Sequence, residues 1–203
     1  MTTARRMTFE DLMEQPDDGC RHELVRGEIR KVPPPKGEHA FVEAALVGAI
    51  DRYLYGRAVA LGWREDHSRG ARARLVGLLG SGEGGMRFSL PDDPEQTRGA
   101  DVLYLTPDEV ARYGGILRDE YLPAVPALVA EVISPSERAA DIQEKVADYL
   151  GGGAQLVWLL YPQTRTAHVY SPDGAARVLG PHETLDGGDV LPGFTVPIVS
   201  LFD

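Results

Sequence analysis

Apolar positions recur along this chain with two periods. From Glu38 to about Leu54, residues Phe41, Val42, Ala45, Leu46, Ala49, Ile50 and Tyr53 return at intervals of three and four, which predicts an amphipathic helix lying on a sheet. A second stripe of that period, Ile142, Val146, Tyr149 and Leu150, predicts a helix ending at Gly151-Gly152-Gly153. Its start has two candidates, Ser134-Pro135-Ser136-Glu137 and Asp141-Ile142-Gln143-Glu144, each an N-cap residue with glutamate three positions on. Short apolar runs over residues 100–105, 127–133, 155–161 and 166–170 predict strands, and His22 to Val32 reads as a hairpin turning at Arg26-Gly27. Thr8 followed by Asp11, and Thr106-Pro107 followed by Glu109, open two short helices. Residues 62–97 carry one strand, Met86 to Leu90, in a glycine- and arginine-rich context, with Gly77 to Gly82 read as a flexible loop. A further loop is expected through Gly114-Gly115, and short strands with Leu191-Pro192-Gly193-Phe194 close the chain.

Two acids interrupt the apolar runs: Asp101 in the first, Glu131 in the second. An ionised carboxylate inside a strand carries a desolvation penalty of several kcal/mol unless a cation or hydrogen-bond donors compensate it. A divalent cation bridging both acids is the simplest shared explanation. Lys145, one of three lysines, lies about 60° from Ile142 on the helix wheel, on the flank of the buried stripe. Plain alternatives exist for each: Asp101 capping a turn or binding backbone amides, Glu131 pairing with Arg98, and Lys145 pairing with Asp141 at spacing i, i+4.

Composition narrows the classes. A chain of 203 residues with 43% hydrophobic content is long enough for one substantial core, so a single domain over residues 1–203 is expected. No apolar run of about 18 residues is present, and the N-terminus leads into an acidic amphipathic segment instead of a signal-peptide core, which points to the cytoplasm. Cys20 is the only cysteine, which excludes an intrachain disulfide and a cysteine-rich zinc site, and His22, His67, His168 and His182 show no metal-ligand spacing, which argues against a zinc centre. The net charge of -10 argues against bulk electrostatic binding of nucleic acid but leaves room for a local basic groove such as the one Arg64, Arg69, Arg72 and Arg74 would make; the plain reading is a solvated arginine-bearing loop. The Gly77 to Gly82 pattern lacks the lysine and hydroxyl residue of a phosphate loop.

An ordered set of short motifs resembles the Uma-two family of endonucleases, within the PD-(D/E)XK nuclease superfamily. The set is His22-Glu23-Leu24-Val25-Arg26-Gly27-Glu28, Pro33-Pro34-Pro35, His39 at a helix start, Arg98 with Asp101-Val102, residues 128–136, and Asp141 with Lys145 and Tyr149. The resemblance runs from about residue 8 to Phe202. It implies an α/β, restriction-endonuclease-like fold, a central mixed β-sheet flanked by helices on both faces, with a metal-dependent site where strand ends meet. Carried over by position, Asp101 and Glu131 are the metal-binding acids, Lys145 the catalytic lysine and Glu23 an additional acid of the site; His39 is a candidate to touch phosphate or orient an acid. Two departures stand out: Ala100 replaces the proline that precedes the aspartate, and Ile133 stands where the lysine is expected, so Lys145 from the next helix has to replace it. The implied cofactor is Mg2+ (or Mn2+), the implied substrate DNA, and a two-fold homodimer follows from the need to meet both strands. A non-cutting member of the fold that binds nucleic acid or a protein partner remains open, and a carboxylate-pair glycosidase is disfavoured by the scarcity of aromatic platforms.

Overall fold

A computed structural model of the protein describes residues 5–35, 37–64, 68–113 and 121–203. The elements run α1 (Phe9–Met13), β1 (Arg21–Val25), β2 (Glu28–Val32), α2 (Glu38–Ala60), α3 (Arg69–Val76), β3 (Leu78–Leu90), β4 (Asp93–Leu105), α4 (Pro107–Arg112), β5 (Leu128–Val132), α5 (Ala139–Gly151), β6 (Leu156–Tyr161), β7 (Thr166–Tyr170), β8 (Ala176–Leu179), β9 (Thr184–Asp186) and β10 (Thr195–Pro197), with a 3-10 turn over Ile198–Leu201. Strands β3 to β8 form one mixed sheet in sequence order, antiparallel except for the parallel pair β5 and β6, whose crossover is α5. The central strands are apolar on both faces because helices cover both. Val42, Leu46, Ile50 and Leu54 of α2 pack with Val102, Ala130, Val132 and Trp158 on one side. Ile142, Val146 and Tyr149 of α5 pack with Val129, Ile133, Val157 and Leu159 on the other.

Local chemistry fixes the ends of these elements. Thr8 with Asp11 and Thr106 with Glu109 each form reciprocal capping boxes, as their sequences predict. The β1–β2 hairpin turns through two residues with positive φ, Arg26 at 52° and Gly27 at 76°, the combination a primed two-residue turn requires. Arg26 tolerates that conformation because its N–H donates to Asp93 at 2.7 Å and its guanidinium to Glu144 and Asp148 at 2.9 and 3.0 Å.

Four expectations need correcting. Helix α5 starts at Ala139, with Arg138 at the N-cap and no side-chain cap; Ser134 and Glu137 instead close a separate turn, the Ser134 N–H donating to Glu137 at 2.7 Å, and Asp141 sits in the first helical turn. Gly77 to Gly82 is not a loop: residues 78–90 form the whole of β3, with a register shift between Ser81 and Gly84. Arg69, Arg72 and Arg74 ride on helix α3, capped by Ser68, and Arg72 is tied down by Asp51 at 2.7 Å instead of being solvated. Helix α2 runs past Leu54 to Ala60. The expected loop through Gly114-Gly115 lies outside the described residues.

One buried ion network joins these layers. Arg98, on β4 and only 3% exposed, donates to Asp148 of α5 at 2.5 and 3.1 Å, to Glu23 of β1 at 3.3 Å and to Glu144 of α5 at 3.1 Å. Arg30 of β2 also bonds Glu144. Removing one partner of such a network strands the others without compensation, so Asp148→Ala should cost about 3 to 5 kcal/mol. Arg165→Ala, which breaks an exposed pair with Asp203, should cost less than about 1 kcal/mol. Urea unfolding of the two variants would check this; similar midpoints would mean the network does not hold the fold together.

Candidate active site

The site lies where β4 and β5 part. Their antiparallel ladder ends at Val102 opposite Ala130, and one further step along the register sets Asp101 opposite Glu131. Directly opposed residues of an antiparallel pair share a face, so the two acids are cross-strand neighbours. Asp101 Oδ2 accepts the Val132 N–H at 2.7 Å and lies 3.1 Å from His39 Nε2, in the first turn of α2. The backbone-amide alternative for Asp101 is therefore realised, but it occupies one oxygen of a carboxylate that still faces the cleft.

Glu131 is buried, and both its oxygens have partners. Lys145 Nζ donates to Oε2 at 3.1 Å, and the Tyr149 hydroxyl donates to Oε1. Lys145 also reaches Glu137 at 3.2 Å. The alternatives for these two residues fail: Lys145 pairs with Glu131 and Glu137, not with Asp141, and Arg98 bonds Glu23, Asp148 and Glu144, not Glu131. Lys145 and Tyr149 stand four residues apart on α5, on one face, which is how one helix delivers both to one carboxylate.

Glu23 stands behind this pair. Its oxygens accept from the Gly99 N–H at 2.9 Å, Arg98 at 3.3 Å and Arg21 at 3.0 Å, and it does not line the cleft. The Gly99 carbonyl in turn accepts from Tyr149 at 3.2 Å. A Cβ at Gly99 would meet the Arg21 guanidinium at 2.7 Å, so that side chain would have to shift. The structure thus brings Asp101, Glu131, Lys145 and His39 to one cleft of about 700 Å³ and seats Glu23 in the wall beneath it.

Burial pushes the Glu131 carboxyl up to about 7, with Asp101 adding to the rise against the opposing pull of Lys145 and the Tyr149 hydrogen bond. Burial also works against a charged Lys145, but Glu131, Glu137 and Glu23 outweigh it and raise its proton affinity. His39 follows the same logic: burial opposes its charging, and the Asp101 hydrogen bond and charge prevail, so it is raised. The donor atoms of His39, Glu43 and Asp101 lie within 4.8 Å of one another, a grouping able to hold a metal ion. Glu43 and Tyr149 were not assigned to the site by the sequence reading. Their signal was spacing, each four residues after a site residue on the same helix.

A central mixed sheet with helices on both faces is the restriction-endonuclease-like architecture expected from the sequence. The model of the Uma2 family, described as "putative restriction endonuclease", matches residues 9–199, and the chain belongs to that family. A crystal structure described as a "putative nuclease belonging to DUF820", from Anabaena variabilis ATCC 29413, superposes with a TM-score of 0.75 and 18% identity over 97% of each chain. At that identity the likeness is one of fold. No curated protein matches the chain. None of the helices among the described residues is long and apolar enough to cross a membrane.

The raised Glu131 carboxyl has a signed consequence. A carboxyl whose folded pKa exceeds its unfolded value contributes stability that is complete below about 4.5 and lost as pH rises through about 7, an effect of about 3 kcal/mol. A cation bound by Glu131 competes with that proton. The rise in melting temperature on adding Mg2+ or Mn2+ should therefore grow between pH 6 and pH 8. Glu131→Gln should lose both the increment and its pH dependence. An increment that is flat with pH, or intact in the variant, would place the cation on other ligands.

Proposed function

We propose that the protein is a divalent-cation-dependent endonuclease that hydrolyses DNA phosphodiester bonds, with Mg2+ or Mn2+ held by Asp101 and Glu131. The observation that supports this best is the convergence of two buried carboxylates from neighbouring strands and a buried ammonium from the following helix on one cleft. The donor types fit such an ion: Asp101 groups with Glu43 and His39, carboxylate oxygens suit Mg2+ and Mn2+, and the imidazole is better matched to Mn2+. Glu131 would join them on exchanging its Lys145 or Tyr149 bond for the ion. A cation bound there would neutralise charge developing on the phosphoryl oxygens and acidify a coordinated water.

The chain's own groups take the remaining roles. Lys145, held as an ammonium by its three acidic neighbours, acts as a charge stabiliser through its hydrogen bonds and is unsuited to give up or take a proton. Tyr149 fixes Glu131 through its hydrogen bond, and His39 orients Asp101. Glu23 is a positioning residue, acting through Arg98 and Gly99. Cutting both strands of a duplex takes two clefts, so the working species is a two-fold homodimer.

The test is incubation of plasmid and single-stranded DNA with Mg2+ or Mn2+, beside Asp101→Ala. Wild-type protein should cut and the variant should not. Lys145→Ala should lose about 10² to 10⁴ in rate. It should still show cation-dependent stabilisation, because neither carboxylate ligand is removed. Cleavage by Lys145→Ala at the wild-type rate would remove that residue from the chemistry. Cation-dependent stabilisation without cleavage of any strand would identify a non-cutting, nucleic-acid- or protein-binding member of the fold.

A further inference from the structure

Helix α2 brings an acid to the cleft's edge that the strands do not supply. Glu43 stands one turn after His39, at spacing i, i+4 on the same face of α2, and its Oε1 accepts the Gly82 N–H of β3 at 3.0 Å. Asp101 of β4 reaches the same place, so that one donor atom from each of His39, Glu43 and Asp101 lies within 4.8 Å of the other two. Two ligands of one small divalent ion stand about 3 Å apart when adjacent and about 4.2 Å apart when opposite, for bonds of about 2.1 Å. His39 Nε2 and Asp101 Oδ2, 3.1 Å apart, already have the first spacing, and the group as a whole lies close to the second.

His39 carries an independent sign. Its Nδ1 is buried and has no hydrogen-bond partner among the described residues, although buried polar atoms are nearly always matched. A bound ion is one of the few partners such an imidazole can still gain. Glu131 has less to offer at the outset, because both its oxygens are engaged, by Lys145 and by Tyr149.

The geometry points to His39 and Glu43 as the residues that decide which ion the cleft takes, selecting Mn2+ over Mg2+. This rests on the cation site of the proposed function and deepens it by naming the ion and the side chains that select it. Mg2+ takes oxygen ligands and gives up its waters reluctantly, so an imidazole beside it adds little. Mn2+ shares the preference for carboxylate oxygens and, as a first-row transition ion, also accepts nitrogen, so one imidazole with two carboxylates suits it on both counts.

Electron paramagnetic resonance of Mn2+ added to the full chain, with no DNA present and with Mg2+ as competitor, tests the assignment. Mn2+ on the wild type should show coupling to an imidazole nitrogen, and Mg2+ should displace it only in large excess. His39→Gln should lose the nitrogen coupling and bind Mn2+ at least about 10-fold more weakly, with Mg2+ affinity nearly unmoved, so that the preference narrows. Glu43→Gln, whose amide oxygen can still accept the Gly82 N–H, should weaken both ions. Circular dichroism of the ion-free variants checks their folding; should His39→Gln not fold, the nitrogen coupling of the wild type decides alone. Mn2+ bound to the wild type through oxygen only, an unchanged Mn2+-to-Mg2+ ratio in folded His39→Gln, or full Mn2+ affinity in Glu43→Gln would each overturn the proposal. Nitrogen-coupled Mn2+ in a protein that cuts no DNA would remove the nuclease reading alone, and oxygen-only Mn2+ in a protein that cuts would remove this one alone. Failure of the wild type to bind either ion would overturn both.

Discussion

The Arg98 guanidinium is the charge on which the arrangement of the site depends. It lies in the interior, where an unpaired cation would cost several kcal/mol, and it is tolerated because Glu23 and Asp148, both buried, and Glu144 surround it. Those partners belong to the hairpin and to α5, so satisfying one arginine fixes three elements at once. Asp148 adjoins Tyr149 and lies three residues from Lys145. The rotation of α5 that lets Asp148 meet Arg98 is the rotation that brings Tyr149 and Lys145 to Glu131. An apolar replacement of the network could be as stable, but it would lose the directional bonds that set this angle.

The cleft itself is left short of positive charge. Five carboxylates among its lining residues face two arginines and one lysine, and the most deeply buried of the acids, Glu131, answers by holding its proton more tightly. On the proposed function a polyanion could approach only once that deficit is balanced, which a cation held where the acids are opposed across the strands would do. The overall charge of -10 points the same way, since it offers no bulk attraction for nucleic acid. Recognition then falls to short-range contacts in the cleft.

The sequence was most readable where periodicity is enforced by burial on a single surface. The stripes of α2 and α5 are such cases, while β4, β5 and β6 were legible as continuous apolar runs because both their faces are covered. The two acids inside those runs were visible because a lone carboxylate in an apolar strand demands a partner. What stayed hidden was set by tertiary context. Two capping patterns competed for the start of α5, and the backbone used neither, placing Ser134 and Glu137 in their own turn. The glycines of β3 read as a loop because their strand geometry comes from pairing with β4, not from propensity. The true partners of Arg98 were not visible, since nothing local reveals that β1 and α5 meet over it. The outward face of α2 was folded into one broad stripe: Phe41 was counted as core yet is exposed, and only the structure separates the two sides of that helix.

The displaced lysine follows from the same geometry. Two residues after Glu131, on the same face of β5, stands Ile133, packed among Ile142, Val146 and Val129 under α5. A lysine there would give up the apolar contacts that Ile133 makes in that layer. From α5 the ammonium instead arrives over the sheet, with its stem along the helix flank, and meets Glu131 and Glu137 together. Moving the cation from strand to helix frees position 133 for the core but makes its placement conditional on how α5 is seated. That seating is the work of Arg98 and Asp148, so a structural pair that does not line the cleft comes to govern the electrostatics inside it.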